Sequence, residues 1–350
     1  MRKKILVDIY LAFNIGDDMF LDHLANRYPY VDFVPFHPGN NYDKFFSQYK
    51  NVSKFPYSLF DKIKSKLFKN KLEDYDWMSH DFDGLLFLGG GIFREESYWP
   101  EVYKYRNSVC EAFITKGKKV WFMGCSFGPF FTSEYRTKYS ELFRKITWIN
   151  FRDQYSYSLF PELPNVGYHP DILWDFDLPK IERKNNILGI SVINPQHKEG
   201  KSNTYDNYLS STIALCEKFS ARDFKVKLFS FCETEGDLQI AKEIKSYVPE
   251  VDIVSYSGNV LEFLKEFGKC SQIVAGRFHA NIIAIKYGIP LLPISYGTKT
   301  DSLLDDLNYD GLRINLDNII DLENGEFSLF SHEIVEDMKK RAGSHLVFVE

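Results

Sequence analysis

The feature that most constrains this chain is a repeated pattern: a short apolar run, a glycine-rich or polar turn, then a helical stretch. Near-continuous apolar strands that alternate with helices indicate parallel sheets covered by helices on both faces. The sequence therefore predicts an α/β fold with two Rossmann-like domains. The predicted strands are Ile5–Ile9, Val31–Pro35, Gly84–Leu88, Lys119–Met123 and Trp148–Phe151 in the first half, and Ile187–Val192, Lys225–Phe231, Ile253–Tyr256, Gln272–Ala275 and Leu291–Ile294 in the second.

The length of 350 residues exceeds that of a usual single domain. A polar, proline-broken segment at residues 175–186 is the expected linker between an N-terminal domain, residues 1–174, and a C-terminal domain, residues 187–350. Doubly wound sheets bind ligands outside the carboxyl ends of their strands. We therefore expect the site in a cleft between the two domains, with the acceptor on the N-terminal side and the donor mainly on the C-terminal side.

Composition excludes several classes of function. The net charge of −5 disfavours binding to nucleic acid. The five cysteines form no C-x-x-C pair, which disfavours zinc and a disulfide framework and fits a reducing cytoplasm. The N-terminus turns directly into a strand, and no apolar run is long enough to span a membrane, so we expect a cytoplasmic protein. Neither a dinucleotide-binding glycine motif nor a P-loop is present.

The segment 272–290 carries the strongest functional signal. It predicts a buried strand, a tight turn at Gly276 and a helix closed by Gly288 and Pro290. Amide groups at the start of a helix favour anions, and Arg277 adds a two-pronged donor. His279 is then placed to move a proton beside a bound phosphate or carboxylate. An ion-paired arginine and a histidine that caps its own helix are the structural alternative.

Asp17 and Asp18 follow the first strand, where a carboxylate can accept a proton from an acceptor hydroxyl. Capping of the next helix explains one of them equally well. The sequence assigns one aspartate to each role without showing which.

Glycine turns follow two further strands and include Gly90, Gly91 and Ser126. Such turns let backbone amides approach a substrate closely, although close packing of helix on sheet explains them as well. Arg152 follows another strand and is a candidate anion ligand, with an ion pair to the adjacent Asp153 as the alternative.

Residues 43–71 break the pattern, because they carry eight lysines among aromatic side chains against only Asp43 and Asp61. A basic amphipathic stretch of this kind can contact anionic lipid or a lipid pyrophosphate. A solvated helix with an ordinary buried face is the alternative.

Seven short motifs follow one another along the chain. They are Asn14–Asp18, Gly89–Phe93, Gly124–Pro129, Arg152–Asp153, Pro170–Asp171, Gly276–His279 and Tyr296–Lys299. Their order and spacing resemble the polysaccharide pyruvyl transferase family. This resemblance implies a fold of the glycosyltransferase B type and transfer of a pyruvyl group from phosphoenolpyruvate to a sugar, forming a ketal on a cell-surface polysaccharide precursor. It also implies that Arg152, His279 and Lys299 carry donor binding and catalysis.

The implied reaction suits these residues. Phosphoenolpyruvate carries a phosphate and a carboxylate close together, so its site needs several fixed cations, which we expect to be Arg152, Arg277 and Lys299. His279 is the candidate general acid for the methylene carbon. We expect no metal or other cofactor, because protein cations neutralise the donor. The expected acceptor is a polyprenyl-diphosphate-linked saccharide at the cytoplasmic membrane face.

Two other functions remain open. A glycosyltransferase of the same architecture would use a nucleotide sugar, with Glu262 or Glu266 as its nucleotide-binding acid. A scaffold without catalysis is disfavoured, because a scaffold has no need for the cationic side chains of Arg152, Arg277, His279 and Lys299 together. The acceptor sugar, the hydroxyls bridged and the oligomeric state do not follow from the sequence.

Overall fold

The computed structural model describes residues 2–36, 40–56, 79–319 and 322–345. The chain forms two compact units. The first comprises the residues up to Leu11, Phe20–Ile172 and those from Arg341 onward, and the second comprises Ala12–Met19 and Leu173–Lys340. The main passage between the units lies just before the predicted linker at residues 175–186. Two short segments belong to the other unit than the one expected from their position in the sequence. Residues 12–19 belong to the second unit, and the residues from Arg341 onward belong to the first.

The sheet of the first unit is parallel throughout its described strands, which lie in the order β2-β1-β3-β4-β5-β6. The order reverses between β1 and β3, so the turns after these two strands flank the point where ligands bind in such sheets. The strands are β1 (Lys3–Ile9), β2 (Val31–Pro35), β3 (Gly84–Leu88), β4 (Lys119–Cys125), β5 (Trp148–Phe151) and β6 (Val166–Tyr168).

The sheet of the second unit is also parallel, with the order β12-β11-β10-β7-β8-β9. Here the reversal falls between β7 and β10, and the turn after β10 is the one that carries Arg277 and His279. The strands are β7 (Ile187–Ser191), β8 (Lys225–Ser230), β9 (Asp252–Ser255), β10 (Gln272–Ala275), β11 (Leu291–Ser295) and β12 (Ile314–Asn315).

Helices connect successive strands, as parallel pairing requires. Among the described residues the α-helices are Ile15–Arg27, Asp43–Phe46, Trp99–Ile114, Ser133–Phe143, Gln154–Ser158, Tyr205–Ser220, Asp237–Tyr247, Val260–Gly268, Phe278–Lys286, Thr298–Asp306 and His332–Ala342. The predicted α/β class with two parallel-sheet domains is confirmed.

Each unit has its own apolar core between sheet and helices. The core of the first unit is rich in phenylalanine, with Phe87 stacked on Phe122 at 4.2 Å between ring centroids. The core of the second unit is mainly aliphatic, with Leu188, Ile190 and Leu228 among its fully buried side chains. Much of the high aromatic content therefore serves packing.

Of the basic amphipathic stretch, residues 43–71, the structure describes only the part up to residue 56. In that part Phe45, Phe46 and Phe55 are at most 3% exposed, so their rings pack into the protein. The remaining residues of the predicted lipid-binding segment, 57–71, lie outside the described residues. Lipid contact by residues 43–71 stays a prediction.

Candidate functional site

Two clusters contain several of the predicted site residues together with the residues that contact them, one cluster in each unit. We call Gly90, Ser126, Arg152 and Asp171 the Arg152 cluster, which lies in the first unit. We call Gly16, Asp18, Tyr256 and His279 the His279 cluster, which lies in the second unit.

The Arg152 cluster is built by three turns that follow β3, β4 and β5. Gly124 takes a left-handed conformation with φ of 70°, and the pairing of β4 with β5 shifts register at this point. The amide of Arg152 donates to the carbonyl of Cys125 at 2.9 Å, and the amide of Ser126 donates to the carbonyl of Gly90 at 2.6 Å. These backbone bonds hold the three turns together beneath the arginine side chain.

Two side chains hold the guanidinium of Arg152. Its Nε donates to Ser126 Oγ at 2.8 Å, and its Nη1 pairs with Asp171 Oδ2 at 2.9 Å. The side chains of Arg152 and Asp171 are 4% and 2% exposed. A Cβ on Gly90 would lie 2.2 Å from Arg152 Nη1, so only glycine lets the guanidinium occupy this position.

The structure brings Arg152, Gly90 and Ser126 together, as their shared place after neighbouring strands suggested. The carboxylate partner of Arg152 is Asp171. Asp153 caps the helix Gln154–Ser158, its Oδ1 accepting from the amide of Ser156 at 2.7 Å. Arg152 is therefore ion-paired, but with a carboxylate 19 positions further along the chain and not, as the alternative from the sequence had it, through a pair with the adjacent Asp153.

His279 is the second residue of the helix Phe278–Lys286, directly after the turn that follows β10. Its half-buried ring meets the Phe278 ring edge to face at 5.1 Å between centroids. On another side it lies against Gly16, where a Cβ would come within 1.7 Å of His279 Nδ1. Two distant parts of the second unit therefore define the position of the imidazole.

Arg277, which caps the same helix, lies in a buried ion-pair network. Its Nε and Nη2 donate to the two carboxylate oxygens of Asp237, and its Nη1 donates to Glu235 Oε2. Asp237 is fully buried and also accepts from the amides of Phe231 and Cys232, at 3.1 and 3.0 Å. The network ties the turn after β10 to the turn after β8.

The charges of this network balance. Glu235 pairs with Lys198 as well as with Arg277. Although burial favours its neutral form, these two cations hold the pKa of Glu235 well below its ordinary value. Two cations thus face two carboxylates, Glu235 and Asp237. The structure therefore realises the ion pair that the sequence left open for Arg277, and direct phosphate binding by this side chain would require the network to rearrange.

Two of the remaining predicted residues lie at starts of helices. Asp17 is half-buried in the first turn of Ile15–Arg27, beside the fully buried Asp18. Lys299 is half-buried in the first turn of Thr298–Asp306. Gly91 is half-buried next to the Arg152 cluster.

Sequence reasoning gave no role to Gly16, Tyr256, Glu235 or Asp237. Gly16 stood inside a motif that the sequence did mark, but its contact with His279 depends on residues more than 200 positions apart. Asp237 carried a usable signal, since a carboxylate shortly after a strand end faces the ligand-binding edge of a parallel sheet.

In the ranges that the structure describes, no group of three or more histidine, cysteine, aspartate or glutamate side chains is arranged to hold a metal ion. No helix in these ranges is long and apolar enough to cross a membrane. All five cysteines are buried free thiols.

Residues 14–298 match the sequence profile of the polysaccharide pyruvyl transferase family, and the chain therefore belongs to this family. This confirms the resemblance that the seven motifs suggested.

Solved structures similar to this chain share its fold at low identity. The UDP-GlcNAc 2-epimerase from Neisseria meningitidis bound to UDP-GlcNAc is 15% identical, with a TM-score of 0.55 over 97% of this chain and 94% of that one. Anabaena Alr3699/HepE in complex with UDP and glucose is 11% identical, with a TM-score of 0.54 over 99% and 97%. TarM is 12% identical, with a TM-score of 0.53 over 98% and 94%. At these identities the likeness shows the fold alone, which is of the glycosyltransferase B type.

Proposed function

We propose that this member of the polysaccharide pyruvyl transferase family transfers the enolpyruvyl group of phosphoenolpyruvate to two hydroxyls of one sugar in a polysaccharide precursor. The products are a pyruvate ketal and inorganic phosphate. The observation that carries the proposal is the family match over residues 14–298, which includes every residue of both clusters.

The Arg152 cluster supports a role in anion binding. A guanidinium has five N–H donors in a fixed fork, and burial strengthens each charge-assisted bond it makes. Asp171 and Ser126 fix the orientation of the fork, and Gly90 provides the space for it. We assign Arg152 to the phosphate or carboxylate of the donor, with Lys299 as a second cation.

His279 is the proposed general acid. It protonates the methylene carbon of the donor, which makes the central carbon electrophilic, and a sugar hydroxyl then adds to that carbon. Departure of phosphate with its bridging oxygen lets the second hydroxyl close the ketal. The two hydroxyl protons are balanced by one proton gained at the new methyl group and one gained by the phosphate, so no oxidant or reductant is required.

Arg277 takes a supporting part in this proposal. Its network with Asp237 and Glu235 fixes the turn that carries His279. One of Asp17 and Asp18 serves the acceptor side by taking the proton of the attacking hydroxyl. We further propose a polyprenyl-diphosphate-linked saccharide as the acceptor and a cytoplasmic place of action.

Donor identity is the direct test. The purified protein is incubated with a panel of lipid-linked saccharides and either radiolabelled phosphoenolpyruvate or a radiolabelled UDP-sugar. We expect label from phosphoenolpyruvate in an acid-labile product, with one phosphate released for each ketal, and no use of the UDP-sugar. Transfer from the UDP-sugar alone would refute the proposal. Activity that is lost in EDTA and restored by Mg²⁺ would refute the metal-free form of the mechanism.

The role of His279 has its own test. His279→Ala should nearly abolish pyruvyl transfer while the melting temperature stays close to that of the parent protein. His332→Ala is a matched control, because the His332 side chain is 86% exposed. Normal turnover in His279→Ala would remove this residue from the mechanism.

The alternative of a nucleotide-sugar glycosyltransferase draws on the structural neighbours, since two of them were solved in complex with UDP and glucose or with UDP-GlcNAc. Its candidate acids already have local partners. Glu262 accepts from the side chain of Asn259 at 3.2 Å in a helix cap, and Glu266 pairs with Lys227 and Lys269. These contacts favour structural roles for both glutamates.

A further inference from the structure

The segment of residues 12–19 follows β1 but is a part of the second unit. The amide of Ile15 donates to the carbonyl of Phe231 at 3.1 Å. Asn14 forms an antiparallel bridge with Cys232. These backbone contacts attach the segment to the residues that follow β8. It is therefore a built-in element of the unit that contains His279.

Within this segment Gly16 lies directly against the ring of His279. A Cβ added to Gly16 would be 1.7 Å from Nδ1, 2.4 Å from Cε1 and 2.6 Å from Cγ of that ring. Real Cβ atoms do not approach other atoms so closely, so a larger residue at position 16 would displace the imidazole. The absence of a side chain at this position is thus a condition for the observed placement of the ring.

The helical turn that carries Gly16 is held in place by a buried hydrogen bond. The hydroxyl of Tyr256, the residue directly after β9, donates to Asp18 Oδ2 at 2.6 Å. Asp18 and Tyr256 are 0% and 2% exposed. Breaking a hydrogen bond to a buried carboxylate costs more free energy than breaking one at the surface, because the carboxylate would be left desolvated and without its partner. The bond therefore holds the turn firmly.

We propose that Gly16, Asp18 and Tyr256 are positioning residues that set the imidazole of His279 for proton transfer. The catalytic part of this proposal rests on the proposed function, whereas its steric part does not. The proposal also separates the two aspartates that the sequence could not distinguish. Asp18 holds the turn, and Asp17 is the one left for the acceptor side.

A double-mutant cycle tests the steric part. Gly16→Ala, His279→Ala and the double variant are compared with the parent protein by thermal unfolding. We expect Gly16→Ala alone to lower the melting temperature, because its methyl group collides with the ring. In the His279→Ala background the same change should have little effect, since the ring is gone. Effects that simply add, as they do for independent sites, would overturn the proposal.

The catalytic part is tested by steady-state kinetics with phosphoenolpyruvate. A misplacement of about 1 Å can lower a rate roughly 100-fold, so Gly16→Ala should lower kcat by that order while KM for the donor stays within about twofold. Tyr256→Phe keeps the ring and removes the anchoring hydroxyl. It should lower kcat in the same selective way, and it provides the measurement if Gly16→Ala does not fold. A rise in KM without loss of kcat in both variants would overturn positioning.

Gly311→Ala is the matched control. A Cβ at Gly311 would lie 2.5 Å from Ser328 Oγ and from the Tyr309 ring, in the same unit. This variant should lose stability yet keep kcat, and its effect on stability should add to that of His279→Ala.

The steric contact of Gly16 with His279 and the catalytic role of His279 can be refuted separately. If His279→Ala keeps full activity while the stability cycle remains non-additive, the general acid assigned under the proposed function is wrong and the steric contact stands. If His279→Ala is inactive but the cycle is additive, the proposed positioning is wrong and the proposed function stands.

Discussion

Replacement of His345 should remove a specific part of the acid sensitivity of the protein. Nε2 of His345 lies 2.9 Å from the carbonyl of His169 and 2.7 Å from that of Pro170, so the neutral ring donates from Nε2. Its Nδ1 is buried and has no hydrogen-bond partner among the described residues. Protonation would place a charged N–H there without an acceptor. Burial, together with the nearby His169, accordingly lowers the pKa of His345 to about 4.

The sign of the effect follows from proton binding. Between the ordinary pKa of 6.5 and about 4, the unfolded chain binds a proton at His345 and the folded protein does not. Stability from this residue is therefore complete above pH 6.5 and is lost as the pH falls towards 4. A difference of about 2.5 pKa units at 1.36 kcal/mol each gives a loss of about 3 kcal/mol near pH 4.

The assay is urea unfolding of the parent protein and of His345→Gln at several values between pH 7.5 and 4. The glutamine amide can still donate to a carbonyl but cannot titrate in this range. We expect the stability difference between the two proteins to shrink by about 3 kcal/mol over this window. His169, whose pKa burial also lowers, retains its own contribution in both proteins. Curves that stay parallel across the whole range would refute the reasoning, and His332→Gln serves as the exposed control.

Three further outcomes follow from the clusters. Gly90→Ala should raise KM for phosphoenolpyruvate about tenfold, because the added methyl group displaces Arg152. A tenfold rise corresponds to the loss of roughly one hydrogen bond to a charged group. An unchanged KM would show that this guanidinium does not bind the donor. Asp237→Asn should lower the free energy of unfolding, measured in urea, by about 3–5 kcal/mol, because it breaks a buried ion pair. A loss below about 1 kcal/mol would show that Arg277 finds another partner. Hydrogen bonds from Lys227 and Lys269 lower the pKa of Glu266 from 4.5 to about 2. The stability that the Glu266 carboxylate contributes should therefore be present above pH 4.5 and lost as the pH falls towards 2. If the melting temperature of Glu266→Gln falls as steeply over this range as that of the parent protein, the assigned role of Glu266 is wrong.

The sequence predicted the fold well because each strand carries a strong local signal. Four predicted strands, which are β2, β3, β5 and β10, have the observed bounds at both ends, and the other six differ from the observed strands by one or two residues at one or both ends. The two strands it missed, β6 and β12, are short edge strands. A strand of two or three residues has too little apolar periodicity to be distinguished from a loop, and its pairing depends on the neighbouring strand.

The site was less accessible to sequence reasoning, and the reason is physical. Arg152 could be placed after a strand, and the helix after Arg277 was predicted with its closing Gly288, which has φ of 62°. The carboxylates that pair with these two arginines could not be deduced, because Asp171 and Asp237 lie far from them in the sequence and come close only in the folded protein. Local pattern shows where a cation lies along the chain, whereas its partner is fixed by packing.

The attachment of residues 12–19 to the second unit, and of the chain from Arg341 onward to the first, has a consequence for biosynthesis. The partners of the early segment, such as Phe231 and Tyr256, are translated more than 200 codons later. The first unit therefore cannot finish folding on the ribosome until nearly all of the second has been made. Nascent chains should stay protease-sensitive in the first unit until the residues from Arg341 onward emerge, and expression of residues 173–340 alone should yield a product that needs the missing peptide in trans.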